Sequence, residues 1–382
     1  MHPISDAAVA WRDGRIEWVG PATQLPAMFD SESRLSARGQ MVIPGLVDCH
    51  THLAFGGWRA DEFEKRIKGV SYLEIAQSGG GIRKTMAQTR QASPGELIAH
   101  SRAVLAKMVT LGVTTVECKS GYGLSAEAER KQLEVYKALQ ESESIELVPT
   151  FLGAHIVPPE FVNDRGAYVN LLCDELIPEF AGSGLAKFCD VFVEETAFSR
   201  DEALGILEAG KKNGLRPKLH VDQLHDGGGA ALAADVGAIS ADHLEYTGEE
   251  GIRRMAATGV TGVCLPIATL YLRQQPMPVR KFVEAGVPVA VATDFNPGSA
   301  PSYHLPLAMM LSCTMNGLTP AEALKGATCY AAAAIDQGDE CGSVEPGKRA
   351  DLAVLNVPDV NHWMYQFEAN VCTETYIRGV SQ

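Results

Sequence analysis

Two histidines one residue apart, His50 and His52, close the apolar run VIPGLVDC, and Arg59 follows seven residues after the second. On a strand, residues i and i+2 face the same side, so both imidazoles can offer a neutral nitrogen to one metal ion. The pair alone says little, because two hydrogen-bonded core histidines give the same letters. Company changes the reading. His220 in KLHVDQ and Asp294 in VATDFNPG each end another apolar run and supply a third nitrogen and an oxygen. Three histidines and one aspartate, with a position left for water, form a catalytic rather than a structural ligand set. The same groups buried without an ion would be costly to desolvate. His243 in SADHLEY has two readings: a group that holds a substrate carbonyl or water beside the ion, or a satisfied histidine beneath it; the first is preferred. His2, His100, His225, His304 and His362 are background, with His100 in a helical pattern and most simply on the surface.

These residues need strands to hold them. Eight runs read as buried strands: MVIPGLVDCH, VTTVECK, IELVPTFLGAH, FCDVFVEE, RPKLHVDQ, AISADHLEY, VTGVCLP and VPVAVATDF. Amphipathic helical patterns lie between most of them, such as SPGELIAHSRAVLAKMVTLG, RDEALGILEAGKKNG and PMPVRKFVEAG. Eight β–α alternations predict an α/β fold of the TIM-type (β/α)8 barrel kind, although a doubly wound sheet shares the local pattern. In such a barrel the chemistry sits at the C-terminal ends of the strands. Five of the ten histidines (His50, His52, His155, His220 and His243) and Asp294 fall at those ends. At the N-terminus, WRDGRIEWVG reads as a hairpin about Asp-Gly; KRADLAVLNV and ETYIRGV repeat the β pattern at the other end. The expected organisation is a discontinuous β-sandwich from residues 1–42 and 345–382 flanking a hydrolase barrel over 43–344. SGGGIRKT lacks the spacing of a phosphate loop and reads as a mobile loop over the site.

The chain has 382 residues, 46% of them hydrophobic, enough for a large core. Its net charge is −14 with no basic run, which argues against nucleic acid or an anionic membrane and for a small-molecule substrate. Nine scattered cysteines without a C-x-x-C pair read as a reduced, cytoplasmic protein. No signal peptide is visible, and no apolar run approaches the ~18 residues of a membrane span.

VIPGLVDCHTH, His220, His243, ATDFNPGS and GSVEPGKRADLAVLN together resemble the amidohydrolase superfamily over nearly the whole chain. Longer stretches, including FGGWRADEFEKRIKGVSYLEIAQSGGGI, VECKSGYGL, TFLGAHIVPPEF and ATDFNPGSAPSYHLPLAMMLSCT, are most similar to its members that open the ring of 4-imidazolone-5-propanoate in histidine degradation. The resemblance implies metal binding by His50, His52, His220 and Asp294, and substrate contacts from Arg59, Tyr122, His155, Asn296, Gly298 and Ser299. It further implies one divalent ion per chain, zinc or iron, a homodimer, and relatives with additional residues before the N-terminal hairpin. Arg59 suits the substrate carboxylate, since a guanidinium forks onto it. Asp294 is the expected proton carrier and His243 the expected oxyanion partner, with the ion activating water. One position departs from the pattern: many members read His-x-x-Glu after the fifth strand, whereas HVDQ places Gln223 there, and an amide cannot accept a proton near neutral pH. Gln223 is therefore assigned to binding. The competing readings are a deaminase or other hydrolase of a small nitrogen heterocycle, a two-metal member using Glu194 or Glu195, and a non-catalytic ligand-binding barrel.

Overall fold

The computed structural model describes residues 3–29, 33–70, 74 and 79–382. Asp13 and Gly14, with φ of 51° and 77°, make the tight turn that joins β1 (Ala7–Arg12) to β2 (Arg15–Pro21) in an antiparallel hairpin. The run expected as one strand, MVIPGLVDCH, divides in two. β3 (Met41–Pro44) joins the flanking sheet and β4 (Leu46–Asp48) opens the barrel. The chain changes sheets at Gly45, where a Cβ would lie 2.3 Å from Thr114 Oγ1, so glycine is what leaves room for the Thr114 side chain. An apolar run reads the same whichever sheet receives it, which is why the break was invisible in the pattern.

The barrel continues with β5 (Val113–Lys119), β6 (Glu146–Ala154), β7 (Phe188–Val193), β8 (Arg216–Val221), β9 (Ser240–His243), β10 (Thr261–Cys264) and β11 (Val289–Val291). All eight strands pair in parallel in chain order from β4 to β11. Closure comes just beyond the last strand. The Asp294 amide donates to the His50 carbonyl (3.0 Å), the His52 amide to the Phe295 carbonyl (2.9 Å), and Thr51 bridges Phe295 in parallel. Asp48 reinforces the seam by accepting from the Thr293 amide (3.1 Å) and hydroxyl (2.6 Å). The protein is thus a TIM-type (β/α)8 barrel.

β12 (Leu352–Leu355), β13 (Cys372–Ile377) and β14 (Val380–Ser381) complete the flanking sheet in the order β14-β13-β12-β3. Val9 and Trp11 of the hairpin pack onto a small core of Leu352, Val354 and Tyr376, with the Trp11 and Tyr376 rings 6.1 Å apart. Residues from both ends of the chain therefore build the flanking β-layers. The buried Arg349 ties them to the barrel, donating to Asp351 (2.8 Å) and to Thr115 of β5 (2.8 Å).

The helices form where their caps predict. Ser93 and Ser199 make capping boxes with Glu96 and Glu202 for helices Pro94–Thr110 and Arg200–Lys212, each cap worth about 1 kcal/mol. PMPVRKFVEAG yields only six helical residues, Val279–Glu284. Two expectations change. His100 is half-buried rather than on the surface, its ring 4.6 Å from Phe55. In SGGGIRKT, Ser78 lies outside the described residues, while Ile82 already begins the helix Ile82–Gln91 and the Gly81 amide donates to Glu62 (3.0 Å). No described helix is long and apolar enough to cross a membrane.

Candidate active site

Residues just past β4 and β11 and at the ends of β8 and β9 meet at the barrel mouth. Ligand atoms of His50, His52 and Asp294 lie within 4.8 Å of one another, and so do those of His50, His220 and His243. His50 is shared by both groups, and its ring centroid is 5.3 Å from that of His52 and 4.5 Å from that of His220. His52, His220, His243 and Asp294 are each 2–3% exposed and His50 is wholly buried. Two of the five adopt left-handed backbone, His243 at φ 81° and Asp294 at φ 54°, a conformation that costs a side-chain-bearing residue free energy and is found mostly at functional sites.

The donor atoms fit a metal ion. Nε2 of His50 and of His220 are buried without a hydrogen-bond partner among the described residues, and Nε2 of His50 and of His52 lie 3.4 and 3.5 Å from Asp294 Oδ1. The other ring nitrogens of two of them are taken up: His50 Nδ1 lies 2.7 Å from Asp242 and His220 Nδ1 3.0 Å from Asp190. A carboxylate that accepts from Nδ1–H keeps the proton on that nitrogen and leaves Nε2 bare toward a cation. Burial, reinforced by neighbouring charge, holds His220 well below the ordinary imidazole range, and burial likewise lowers His52; at His50 burial and Lys119 act in the same sense, but Asp242 and Asp294 outweigh them and raise it to about 9. At Asp294 burial opposes ionisation, but contacts with His50 and His52 outweigh it and hold the carboxyl well below its usual value.

Beside these donors lies a second group. A Cβ on Gly298 would stand 1.1 Å from Arg59 Nη2, so the guanidinium rests directly on that glycine. Arg59 Nε is buried without a hydrogen-bond partner among the described residues. Asn296 shapes this loop, its Oδ1 accepting from the Gly298 and Ser299 amides (2.8 Å each) and its Nδ2 donating to the Asp294 carbonyl (2.7 Å). Ser299 Oγ comes to 3.4 Å from Asp294 Oδ2. On the other side, His155 stacks on His52 at 5.3 Å, and Tyr122 lies 5.4 Å from both rings. Burial lowers His155 to about 3, so it is a neutral hydrogen-bonding group. Gln223, half-buried, sits three residues past His220 in a loop held by Asp222, which accepts from the amides of Gly227, Gly229 and Ala230.

Glu194 does not join the donors. It accepts from the Leu224 amide (2.7 Å) and pairs with His225 (2.6 Å), Glu195 is exposed, and neither belongs to a metal-capable group among the described residues. His304 caps the helix Leu305–Thr314, and His2 lies outside the described residues. Sequence reasoning missed Asp190 and Asp242, and with them Glu117, Lys119 and Lys218, all buried below the donors. A signal was present: Glu117 and Lys119 share one strand face, as do Lys218 and His220, so the inward face carried charge where an apolar layer belongs.

A parallel barrel with polar donors at its C-terminal mouth defines a metal-dependent hydrolase class, and the chain belongs to the amidohydrolase family, whose model matches residues 41–381. Relatives narrow this. The chain is 48% identical to the imidazolonepropionase of Geobacillus kaustophilus, over 98% of this chain and 89% of that one. It is 44% identical to that of Cupriavidus necator, over 97% and 89%. Within the family it therefore stands among the imidazolonepropionases. Among solved structures, a zinc-bound adenosine deaminase of Xanthomonas campestris matches with a TM-score of 0.72 at 19% identity, covering 98% of this chain and 88% of that one. An atrazine chlorohydrolase of Arthrobacter aurescens, complexed with zinc, matches at 0.73 and 15%, covering 98% and 90%. These two share the fold. Family and donor set together make a metal ion the cofactor.

Proposed function

We infer that the chain hydrolyses the ring amide of 4-imidazolone-5-propanoate to N-formimino-L-glutamate, in histidine degradation. The observation that carries this reading is the 48% identity to an imidazolonepropionase over nearly the full length of both chains. His50, His52, His220 and Asp294 are the proposed ligands of one divalent ion, zinc or iron, since both accept histidine and carboxylate. When bound, the ion supplies Lewis acidity toward water and the lactam carbonyl. Asp294 takes the proton of the attacking water and returns it to the ring nitrogen as the C–N bond breaks, so that one water is added overall. His243 hydrogen-bonds the developing oxyanion. Arg59 forks onto the propanoate carboxylate, while Tyr122, His155, Asn296, Gly298, Ser299 and Gln223 hold the ring. Residues 43–344 carry this chemistry and residues 1–42 with 345–382 form the flanking unit; the protein works as a cytoplasmic homodimer.

Purified protein loaded with zinc should convert imidazolonepropionate to formiminoglutamate, read by loss of the imidazolone absorbance and by product analysis. No conversion by folded, metal-loaded protein would overturn the assignment. The same assay separates the roles. Arg59→Met, and Gly298→Ala through displacement of the guanidinium, should raise KM by about 10–100-fold with a much smaller effect on kcat, the worth of a charge-assisted fork to carboxylate. An unchanged KM in both would remove Arg59 from substrate binding.

Gln223→Glu tests the departure from the family pattern. A positioned proton acceptor is worth about 10²-fold or more, so the binding role assigned to Gln223 predicts a change in kcat of under about threefold. A gain of tenfold or beyond, on the order a new base brings, would mean that proton transfer at this position limits the enzyme.

A further inference from the structure

Below the donors, charged side chains from four strands meet out of contact with solvent: Glu117 and Lys119 of β5, Asp190 of β7, Lys218 of β8 and Asp242 of β9. Lys119 is at their centre. Its Nζ lies 2.8 Å from Asp190 Oδ2, 2.9 Å from Glu117 Oε1 and 3.4 Å from Asp242 Oδ2. An ammonium has three donors, and three carboxylates surround this one. Two of those carboxylates are the partners of proposed metal ligands: Asp190 Oδ1 faces His220 Nδ1 at 3.0 Å, and Asp242 Oδ2 faces His50 Nδ1 at 2.7 Å. A continuous line therefore runs from His50 through Asp242, Lys119 and Asp190 to His220. Lys218 hydrogen-bonds Glu117 (3.1 Å) and the Ala334 carbonyl (3.1 Å) and adds its charge to the field at Asp242, but it makes no hydrogen bond to Asp190 or Asp242 and so does not join them as Lys119 does.

Stability does not account for the arrangement. Barrel interiors are ordinarily filled by branched apolar side chains, and a buried ion pair is often no more stabilising than a hydrophobic replacement of the same volume. What a fully satisfied polar cluster does provide is a single fixed arrangement. We propose that Lys119 is a positioning residue that holds Asp190 and Asp242 in register with each other, and so orients His50 and His220 together, both with Nε2 toward the metal. The inference rests on the reading of His50 and His220 as ligands. Burial disfavours the ammonium, but Asp190 and Glu117 outweigh it and keep Lys119 charged. Removing the charge frees the two carboxylates to repel each other, and each imidazole then turns independently.

The test is a double-mutant cycle on zinc affinity, measured by competition with a chromophoric chelator, together with the visible spectrum of the cobalt-substituted protein. Asp190→Asn and Asp242→Asn should each weaken zinc binding by about 10–100-fold, the usual effect of losing a ligand's supporting carboxylate. If Lys119 couples them, the double variant should depart from the product of the single effects by about fivefold or more. Lys119→Met should weaken zinc binding and shift the cobalt bands without touching any ligand, a change that a purely structural lysine would not produce. Effects that multiply to within about twofold, or a folded Lys119→Met protein with the parent's zinc affinity and cobalt spectrum, would overturn the proposal. Should Lys119→Met fail to fold, the cycle alone decides. A parent protein that binds no zinc overturns the ligand reading itself, and this inference with it.

Discussion

Asp294→Asn should leave the protein folded and lower kcat by about 10³-fold, within the range that positioned proton transfer contributes. The substitution preserves size and shape at a site that is 2% exposed, and the Asp294 backbone carbonyl, which accepts from Asn296, and amide, which donates to His50, are untouched; an amide side chain can still accept from Ser299 Oγ. On the roles proposed for Asp294, what disappears is a proton acceptor and an anionic ligand. The two losses separate experimentally: metal content reports the ligand, and single-turnover kinetics of whatever metal-loaded protein remains report the proton. Circular dichroism and melting establish that the barrel persists. Metal-loaded Asp294→Asn protein that turns over at near the parent rate would remove Asp294 from proton transfer.

Stripping the metal with a chelator should reduce activity by about 10²-fold or more, since a Lewis acid at a carbonyl is worth several kcal/mol, and returning zinc or iron should restore it at about one equivalent per chain. Melting should fall in the same step. A ligand that binds only the folded chain stabilises it by about 4 kcal/mol at a thousand times its dissociation constant. The structural reason lies in the bare Nε2 atoms of His50 and His220, buried polar groups that an ion satisfies and that otherwise remain a cost. Full activity at metal contents far below one equivalent would mean that the donors serve some other purpose. Saturation near two equivalents would return Glu194 to consideration, although its pairing with His225 stands against that.

Much of the site could be read directly from the chain because it sits where apolar runs stop. His50, His52 and Asp294 follow buried strands and His220 lies in the last two residues of one, and strand ends are the part of a barrel whose side chains share one mouth. The hairpin about Asp13-Gly14 was equally legible, since few dipeptides accept two positive φ values. Other features were not. The division of MVIPGLVDCH between two sheets depends on how closely Gly45 meets Thr114, a tertiary distance with no local signature. Asp190 and Asp242 looked like ordinary polar interruptions of strands, because their value comes from partners 30 and 192 residues away. The resting place of the Arg59 guanidinium on Gly298 likewise joins loops from opposite ends of the barrel sequence.

The seam between the first and last barrel strands carries a consequence for how the protein comes into being. β4 and β11 are three residues each, and the pairing that completes the ring lies just past them, at His50, Thr51, His52, Asp294 and Phe295. Three of the residues that fasten the cylinder shut, His50, His52 and Asp294, are thus proposed ligands of the ion. A nascent or partly opened barrel holds the histidines of one edge apart from the aspartate of the other, more than 240 positions later in the chain, and so has half a coordination sphere. On the proposed ligand set, completion of the fold and creation of the metal site are one event, and an ion held there would act as a clasp on the joint between the first and last strands.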